Sequence, residues 1–347
     1  MSKTMLAAVL HGIKDLRVEE RPIPELAPGK VLLRITRAGV CGTDVHYYED
    51  GRFGQFAMSA PFILGHEITG VVAAVPDDVT HPVVGQRVVV NPAYHCGQCD
   101  YCRAGRTNLC RRVRMLGSAS TKPPTNGAFS EYTLIGAGQC FPIPDEMDDG
   151  LAALMEPFAV ALHALRRAGS VAGKQVIVTG GGPIGLLTVI AARAYGATTI
   201  ALSDPLAERR QMALSVGADC VFSPEELTAG TDGYDVLFEA SGAPPAVQKA
   251  FELVRRGGTI VQIGVFSAPE ISIPANQLMV REINFVGSFR YGNVWEEAIR
   301  LVVSGRVNLR PLITKVFPLR QAVEALQLAC AKTGVVKVQL DLTGEGS

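Results

Sequence analysis

Cys96, Cys99, Cys102 and Cys110 are spaced C-x2-C-x2-C-x7-C, and a loop of that spacing can wrap four thiolates around one tetrahedral ion at Zn–S distances of about 2.3 Å. Four sulfurs leave no coordination position open. The expected ion is a structural zinc that ties down the loop and contributes folding free energy, with Arg103, Arg106, Arg111, Arg112 and Arg114 expected to offset the thiolate charge. A second set is dispersed: Cys41, the pair His66-Glu67, and Glu156. Three protein ligands with the fourth position left to water or substrate is how a catalytic zinc is held. Cys41 and His66 are assigned to that zinc, together with Glu67 or Glu156. Adjacent residues in a strand point to opposite faces, so His66 and Glu67 can both bind only where the backbone departs from regular extension. Glu156 arrives from elsewhere in the chain. The glutamate that does not ligate is left to act as a base.

A different chemistry resides in Gly180-Gly181-Gly182-Pro183-Ile184-Gly185, which fits G-x-G-x-x-G after a β-branched run and before a helical pattern. Gly180 allows a tight turn, Gly182 a close approach of backbone to pyrophosphate, and Gly185 close packing of helix on strand, with phosphate charge at the helix N-terminus. Asp204 follows Gly185 by 19 residues at the end of the next predicted strand, the distance at which a carboxylate accepts the ribose hydroxyls. A 2′-phosphate would be repelled there, so NAD is expected over NADP.

These residues need elements to hold them. At 347 residues the chain is expected to form about two domains. Short β-rich runs over 31–35, 70–75, 86–90 and 130–135 predict a barrel-like β domain. Strands over 175–179, 199–203, 220–222, 236–239 and 259–263, alternating with helices over 206–216 and 245–255, predict a doubly wound parallel sheet. Helices over 293–304 and 319–332 and a closing strand over 335–342 suggest that the chain rejoins its first domain. Lys plus Arg and Asp plus Glu both number 33, so no basic excess exists to meet nucleic acid or an anionic membrane. Hydrophobic residues reach 48% against 19% charged, which supplies a large core. The apolar run near the N-terminus lacks a cleavage site and the glycine-broken region 176–202 cannot span a bilayer. With its clustered thiols, the chain is expected in the cytoplasm.

Gly65-His66-Glu67, the four-cysteine loop, Glu156-Pro157 and the turn Gly180 to Gly185, in this order, resemble the zinc-containing medium-chain dehydrogenases. Within them, Cys41-Gly42-Thr43-Asp44-Val45-His46-Tyr47-Tyr48, Glu156 and Phe289-Arg290-Tyr291 look like the polyol dehydrogenases of sorbitol and xylitol. Residues 114–119, 287–290 and 336–340 look especially like the L-idonate 5-dehydrogenases. The resemblance implies an α/β protein with a GroES-like β-barrel catalytic domain (1–156 and 290–347) and a Rossmann NAD-binding domain (157–289). It also implies a homo-oligomer, commonly a tetramer. By the same route Ile184, Asp204 and Arg209 line the adenosine end of NAD, while Gly264, Val265 and Phe289 lie near the nicotinamide.

The chemistry so implied is oxidation of a secondary alcohol, with hydride passing to NAD. Zinc lowers the pKa of bound water from 15.7 to about 7, which brings loss of an alcohol proton within reach near neutrality. Thr43 is expected to take that proton and His46 to relay it, imidazole being the side chain that exchanges protons most readily there. Tyr47, Arg290 and Tyr291 are candidates for hydrogen bonds to the other substrate hydroxyls, and Arg290 could pair bidentately with an aldonate carboxylate. Zinc-dependent threonine and butanediol dehydrogenases are close alternatives. A non-catalytic dinucleotide sensor is the alternative from another class.

Overall fold

The computed structural model describes residues 4–228, 232–268, 270–331 and 333–344. The chain divides into two compact units, Met1–Glu156 with Leu312–Ser347, and Pro157–Pro311.

In the first unit, a sheet of seven strands among the described residues is built around Lys30–Gly39. That strand pairs antiparallel with Glu67–Ala74 on one side and with both Tyr132–Gly136 and the late strand Lys337–Asp341 elsewhere along its length. A smaller sheet joins Thr4–Gly12 to Asp15–Pro22 and Phe62–Ile63. The two sheets share one core, with Leu10, Leu33, Ile35, Phe62, Ile68 and Phe129 fully enclosed. The helix Ala322–Ala331 contributes Ala325 and Leu326 to the same core. The expected helix over 319–332 begins instead with a single 3-10 turn, Leu319–Gln321, and Lys332 lies outside the described residues.

The second unit is a parallel sheet in the order Cys220–Phe222, Thr199–Ser203, Gln175–Thr179, Tyr234–Glu239, Val254–Gln262, Asn284–Gly287. Numbered by sequence this is 3-2-1-4-5-6, the Rossmann order, and ligands of such sheets bind beyond the carboxyl ends of the strands where the order reverses. Val176, Ile177, Leu237, Phe238 and Ile260 are wholly buried, as strands covered on both faces require.

The return to the first unit falls later than the expected residue 290. Residues 290–311 stay with the parallel-sheet unit because their contacts are there: Arg166 binds Glu297 and the Asn293 carbonyl, Gly292 donates to His163 Nδ1, and Arg306 donates to the Ala194 carbonyl. The sequence signal at 290 was a motif, and a motif marks chemistry without marking where contacts change hands.

Candidate active site and metal centres

Cys41 stands at the N-cap position of the helix Gly42–Asp50. With 3.6 residues per turn, Thr43, His46 and Asp50 share one face of that helix, and Asp44, Tyr47 and Tyr48 turn to the core. Asp44 is fully buried: one carboxylate oxygen accepts from the Cys41 amide at 2.9 Å, and the other accepts from the Gly65 amide at 3.1 Å and lies 3.8 Å from His66 Nδ1. It therefore fixes the two segments that carry the first two donors. Gly65 has φ +93°, and a Cβ there would strike the Phe129 ring at 2.2 Å. The regular strand begins only at Glu67. Here the backbone departs from extension, and the structure brings Cys41, His66 and Glu67 together, with one ligand atom from each lying within 4.8 Å of the others.

Glu67 is held from behind. Its carboxylate passes over Gly39, where a Cβ would lie 2.2 Å from Oε2, and both its oxygens sit 2.8 Å from Lys337 Nζ. The third ammonium proton goes to the Val40 carbonyl at 3.0 Å, so Lys337 is buried with three acceptors for three donors. Glu156, in the first turn of the helix Met155–Ala168, is also buried and near enough to act electrostatically on both His66 and Lys337. Burial alone would lower the His66 pKa, yet the Cys41 thiolate and the Asp44 carboxylate outweigh it and hold the imidazole well above its ordinary value. His66 Nδ1 is buried on the Asp44 side without a hydrogen-bond partner; a soft, a borderline and a hard donor, Cys41, His66 and Glu67, converge within reach of one ion, so the residues fit a zinc with an open position.

Thr43 Oγ1 lies 3.8 Å from the Cys41 sulfur. His46 is exposed, stacked near Phe53, with Nδ1 3.2 Å from Asp50 Oδ2. Tyr47 does not stand with them. It is fully buried, edge-on to Phe62, and its hydroxyl accepts from the Ala119 amide at 3.0 Å. The expectation of a substrate contact there is overturned by helical periodicity, which places residue 47 on the core face with Asp44. Tyr291 is likewise packed away, 2% exposed and edge-on to Trp295. Arg290 differs from both: it adopts φ +53° with its guanidinium over the Phe289 ring at 4.8 Å.

The cysteine loop also closes as expected, with ligand atoms of Cys96, Cys99, Cys102 and Cys110 all within 4.8 Å of one another. Part of the expected offset from arginine side chains is present, the Arg112 side chain bonding the Cys96 sulfur and lowering its pKa. Arg111 is committed to Asp100 through two bonds of 2.9 and 2.8 Å. Backbone amides contribute more: Gln98 and Cys99 N–H groups are the main donors that bring the Cys96 thiol down to about 5, and Cys96 and Arg112 amides point at the Cys110 sulfur.

In the second unit the glycine turn has the required shape. Gly180 has φ +97° and a Cβ there would lie 2.8 Å from Ser241, while at Gly185 it would meet the Gly180 carbonyl oxygen at 1.8 Å. At Gly182, the N-cap of Pro183–Ala194, nothing lies within 4 Å, which leaves the approach to the helix N-terminus open. Asp204 is buried at the end of its strand. It accepts from the Gly181 amide at 2.7 Å and the Leu206 amide at 2.8 Å, with Arg209 Nη1 at 3.6 Å. It thus serves the turn, and the remaining lone pairs of a carboxylate are available to hydroxyls. Ile184 and Arg209 are half-buried beside this turn, whereas Val265 and Phe289 are large apolar side chains left 60% and 51% exposed. Gly264 is packed so closely on Gly242 that a Cβ would lie 2.3 Å from its amide nitrogen.

Asp44, Lys337 and Gly181 were not singled out by spacing. Lys337 carried a signal nonetheless, a lone cation inside the apolar run Val335 to Leu340.

Comparison with known proteins agrees with this geometry. Residues 27–145 match the alcohol dehydrogenase GroES-like domain and residues 183–304 the zinc-binding dehydrogenase domain. Sorbitol dehydrogenase of Gallus gallus is 38% identical over 341 residues, covering 95% of this chain and 94% of that one. The chain belongs to the zinc-containing medium-chain dehydrogenases. Another relative in this family, named Probable D-xylulose reductase A in Aspergillus terreus, is 38% identical over 96% of this chain and 98% of its own. The structure of L-idonate 5-dehydrogenase from Escherichia coli superposes with a TM-score of 0.93 at 36% identity, covering 97% of this chain and 98% of that one. No helix among the described residues is long and apolar enough to cross a membrane.

Proposed function

We propose that this dehydrogenase oxidises a secondary alcohol of a polyol or an aldonate, of the sorbitol, xylitol or L-idonate type, to the ketone with NAD as hydride acceptor. The observation that carries this reading is the convergence of Cys41, His66 and Glu67 beside the Thr43 hydroxyl. Cys41, His66 and Glu67 would hold the catalytic zinc, with Glu156 beside them as the acidic neighbour, and the four-cysteine loop would hold the structural one. Asp44 faces His66 Nδ1 and so presents Nε2 to the metal, the usual division of labour for a ligating histidine. When bound, the zinc acidifies the substrate hydroxyl and the nicotinamide takes the hydride. Before the hydride leaves, Thr43 Oγ1 would accept the hydroxyl proton as it passes its own on through the cofactor ribose to His46, exposed beside Asp50, and so to water.

Gly180, Gly182, Ile184, Gly185, Asp204 and Arg209 would bind the adenosine and pyrophosphate end of the cofactor; Gly264, Val265 and Phe289 would meet the nicotinamide end. Asp204 at the ribose supports NAD over NADP. Arg290, fixed over Phe289, is the substrate-binding residue and selects a carboxylate. Eight free cysteines, four of them clustered, suit a reducing cytoplasm, and the polyol reading carries a homotetramer with it, which light scattering tests.

The test is NADH absorbance at saturating NAD with sorbitol, xylitol, galactitol, idonate, threonine and butanediol. Turnover confined to threonine or butanediol replaces the proposed substrate class, and no turnover with any of them replaces the enzyme by a dinucleotide-binding protein. In Arg290→Met the KM for idonate should rise far more than that for sorbitol; equal effects would remove the carboxylate role.

A further inference from the structure

Glu239 is a fully buried carboxylate at the carboxyl end of the fourth strand of the parallel sheet, Tyr234–Glu239. The groups that hold it are neutral donors from two loops. From the loop after its own strand, Oε1 accepts the Ser241 amide at 2.8 Å, the Ser241 hydroxyl, and the Gly242 amide at 3.1 Å. From the neighbouring strand Val254–Gln262, Oε2 accepts Gln262 Nε2 at 2.6 Å. The same Nε2 donates to the Gly264 carbonyl at 2.8 Å, and the Glu239 backbone carbonyl receives the Ile263 and Gly264 amides, both at 2.9 Å.

These bonds set the loop after the fourth strand, beside the point where the strand order reverses, against the loop after the fifth. Gly264 sits so close that a Cβ would lie 2.6 Å from Glu239 Oε2, and a Cβ on Gly242 would lie 2.5 Å from the Val265 carbonyl oxygen. The backbone of Ser241 also abuts Gly180. One carboxylate therefore ties the segment 240–242 to the segment 262–265. An amide replaces it poorly, because in place of Oε2 it presents a donor to the Gln262 and Gly242 N–H groups, and turning Gln262 over to accept that donor gives up its bond to the Gly264 carbonyl.

We propose that Glu239 is a positioning residue that presets the loop Ile263–Val265 for the nicotinamide half of the cofactor, leaving the adenosine half to the Gly180–Gly185 turn and Asp204. This rests on the cofactor placement given under Proposed function. The experiment compares two ligands on the whole protein: NADH, which spans both ends, and ADP-ribose, which lacks the nicotinamide. In Glu239→Gln the Kd for NADH should rise at least tenfold while that for ADP-ribose stays within twofold. Gln262→Met, which removes the two bonds donated by Nε2 to Glu239 and Gly264 and keeps the carboxylate with its Ser241 and Gly242 donors, should show the same pattern and supplies the answer should the first variant not fold. Equal weakening of both ligands would make Glu239 a general support of the sheet, and unchanged binding of both would leave it without a role; either result overturns the proposal. Wild-type protein that binds ADP-ribose but gains nothing from the nicotinamide would instead overturn the cofactor placement, and this inference with it.

Discussion

Lys337→Met removes the ammonium that faces Glu67 and leaves an apolar side chain of similar length. At 2.8 Å and an effective dielectric constant of about 20, the attraction between the two charges is about 6 kcal/mol, much of it offset by the desolvation of both groups. Removing one partner abolishes the attraction and keeps the desolvation, so the variant should be less stable by about 3–5 kcal/mol. At ~2–4 °C per kcal/mol for a unit of this size, Tm should fall by roughly 6–20 °C. Glu67→Gln alone relieves the charge on the other side, so the double variant should be less damaged than the sum of the singles by about 2 kcal/mol or more. Burial opposes the ammonium form of Lys337, but Glu67 and Cys41 more than compensate and its pKa lies above 10.5. A raised pKa contributes stability that is fully present below 10.5 and lost only above it, so the Lys337→Met deficit should be constant from pH 6 to 9. Denaturant titration of the four proteins, metal-loaded and stripped, measures all of this, and added zinc should restore part of the Lys337→Met loss by neutralising Glu67. Additive single effects, or a loss below about 1 kcal/mol, would refute the account of the pair.

Gly182→Ala should fold with an unchanged Tm, because its φ of −71° suits alanine and nothing lies within 4 Å, yet its NADH Kd should rise about tenfold as the methyl enters the phosphate approach; Gly185→Ala, driven 1.8 Å from a carbonyl oxygen, should lose about 3 kcal/mol or more of stability. Burial would raise the Asp235 pKa, but the Gln175 amide and Arg255 hold it below 3.8, and a lowered carboxylate stabilises above 3.8 and ceases to as pH falls through its folded value. Asp235→Asn should therefore be less stable than wild type by about 1 kcal/mol at pH 7, with the difference vanishing in urea titrations as pH falls below 3.8 and through the lowered folded value. Cys102→Ser should reduce zinc from about two ions per chain to about one by atomic emission; two retained ions would show that the loop is not a metal site.

What the sequence disclosed was what lies close along it. Strand, glycine turn, helix and Asp204 are neighbours, and the four cysteines belong to one loop, so spacing alone conveyed their geometry. Three strands, Gln175–Thr179, Thr199–Ser203 and Cys220–Phe222, fall where the β-branched runs predict them. At helical spacing, residues 44, 47 and 48 share one buried face, which a motif taken as a linear string does not reveal. Lys337 and Glu239 stayed hidden for another reason: each acts through a partner brought to it by sheet register, Lys337 lying 270 residues from Glu67, and no local pattern encodes such a pairing. Glu67 against Glu156 could not be weighed without knowing that Gly65 breaks the extension ahead of the strand.

The strand Lys337–Asp341 lends its lysine to a glutamate made near the start of the chain. During synthesis, then, the first unit emerges as an incomplete sheet whose central strand lacks a neighbour, and Glu67 is without its counter-ion. The parallel-sheet unit, uninterrupted from Pro157 to Pro311, can close meanwhile on the ribosome. Glu67, though translated early, meets its counter-ion only when Lys337 has been made.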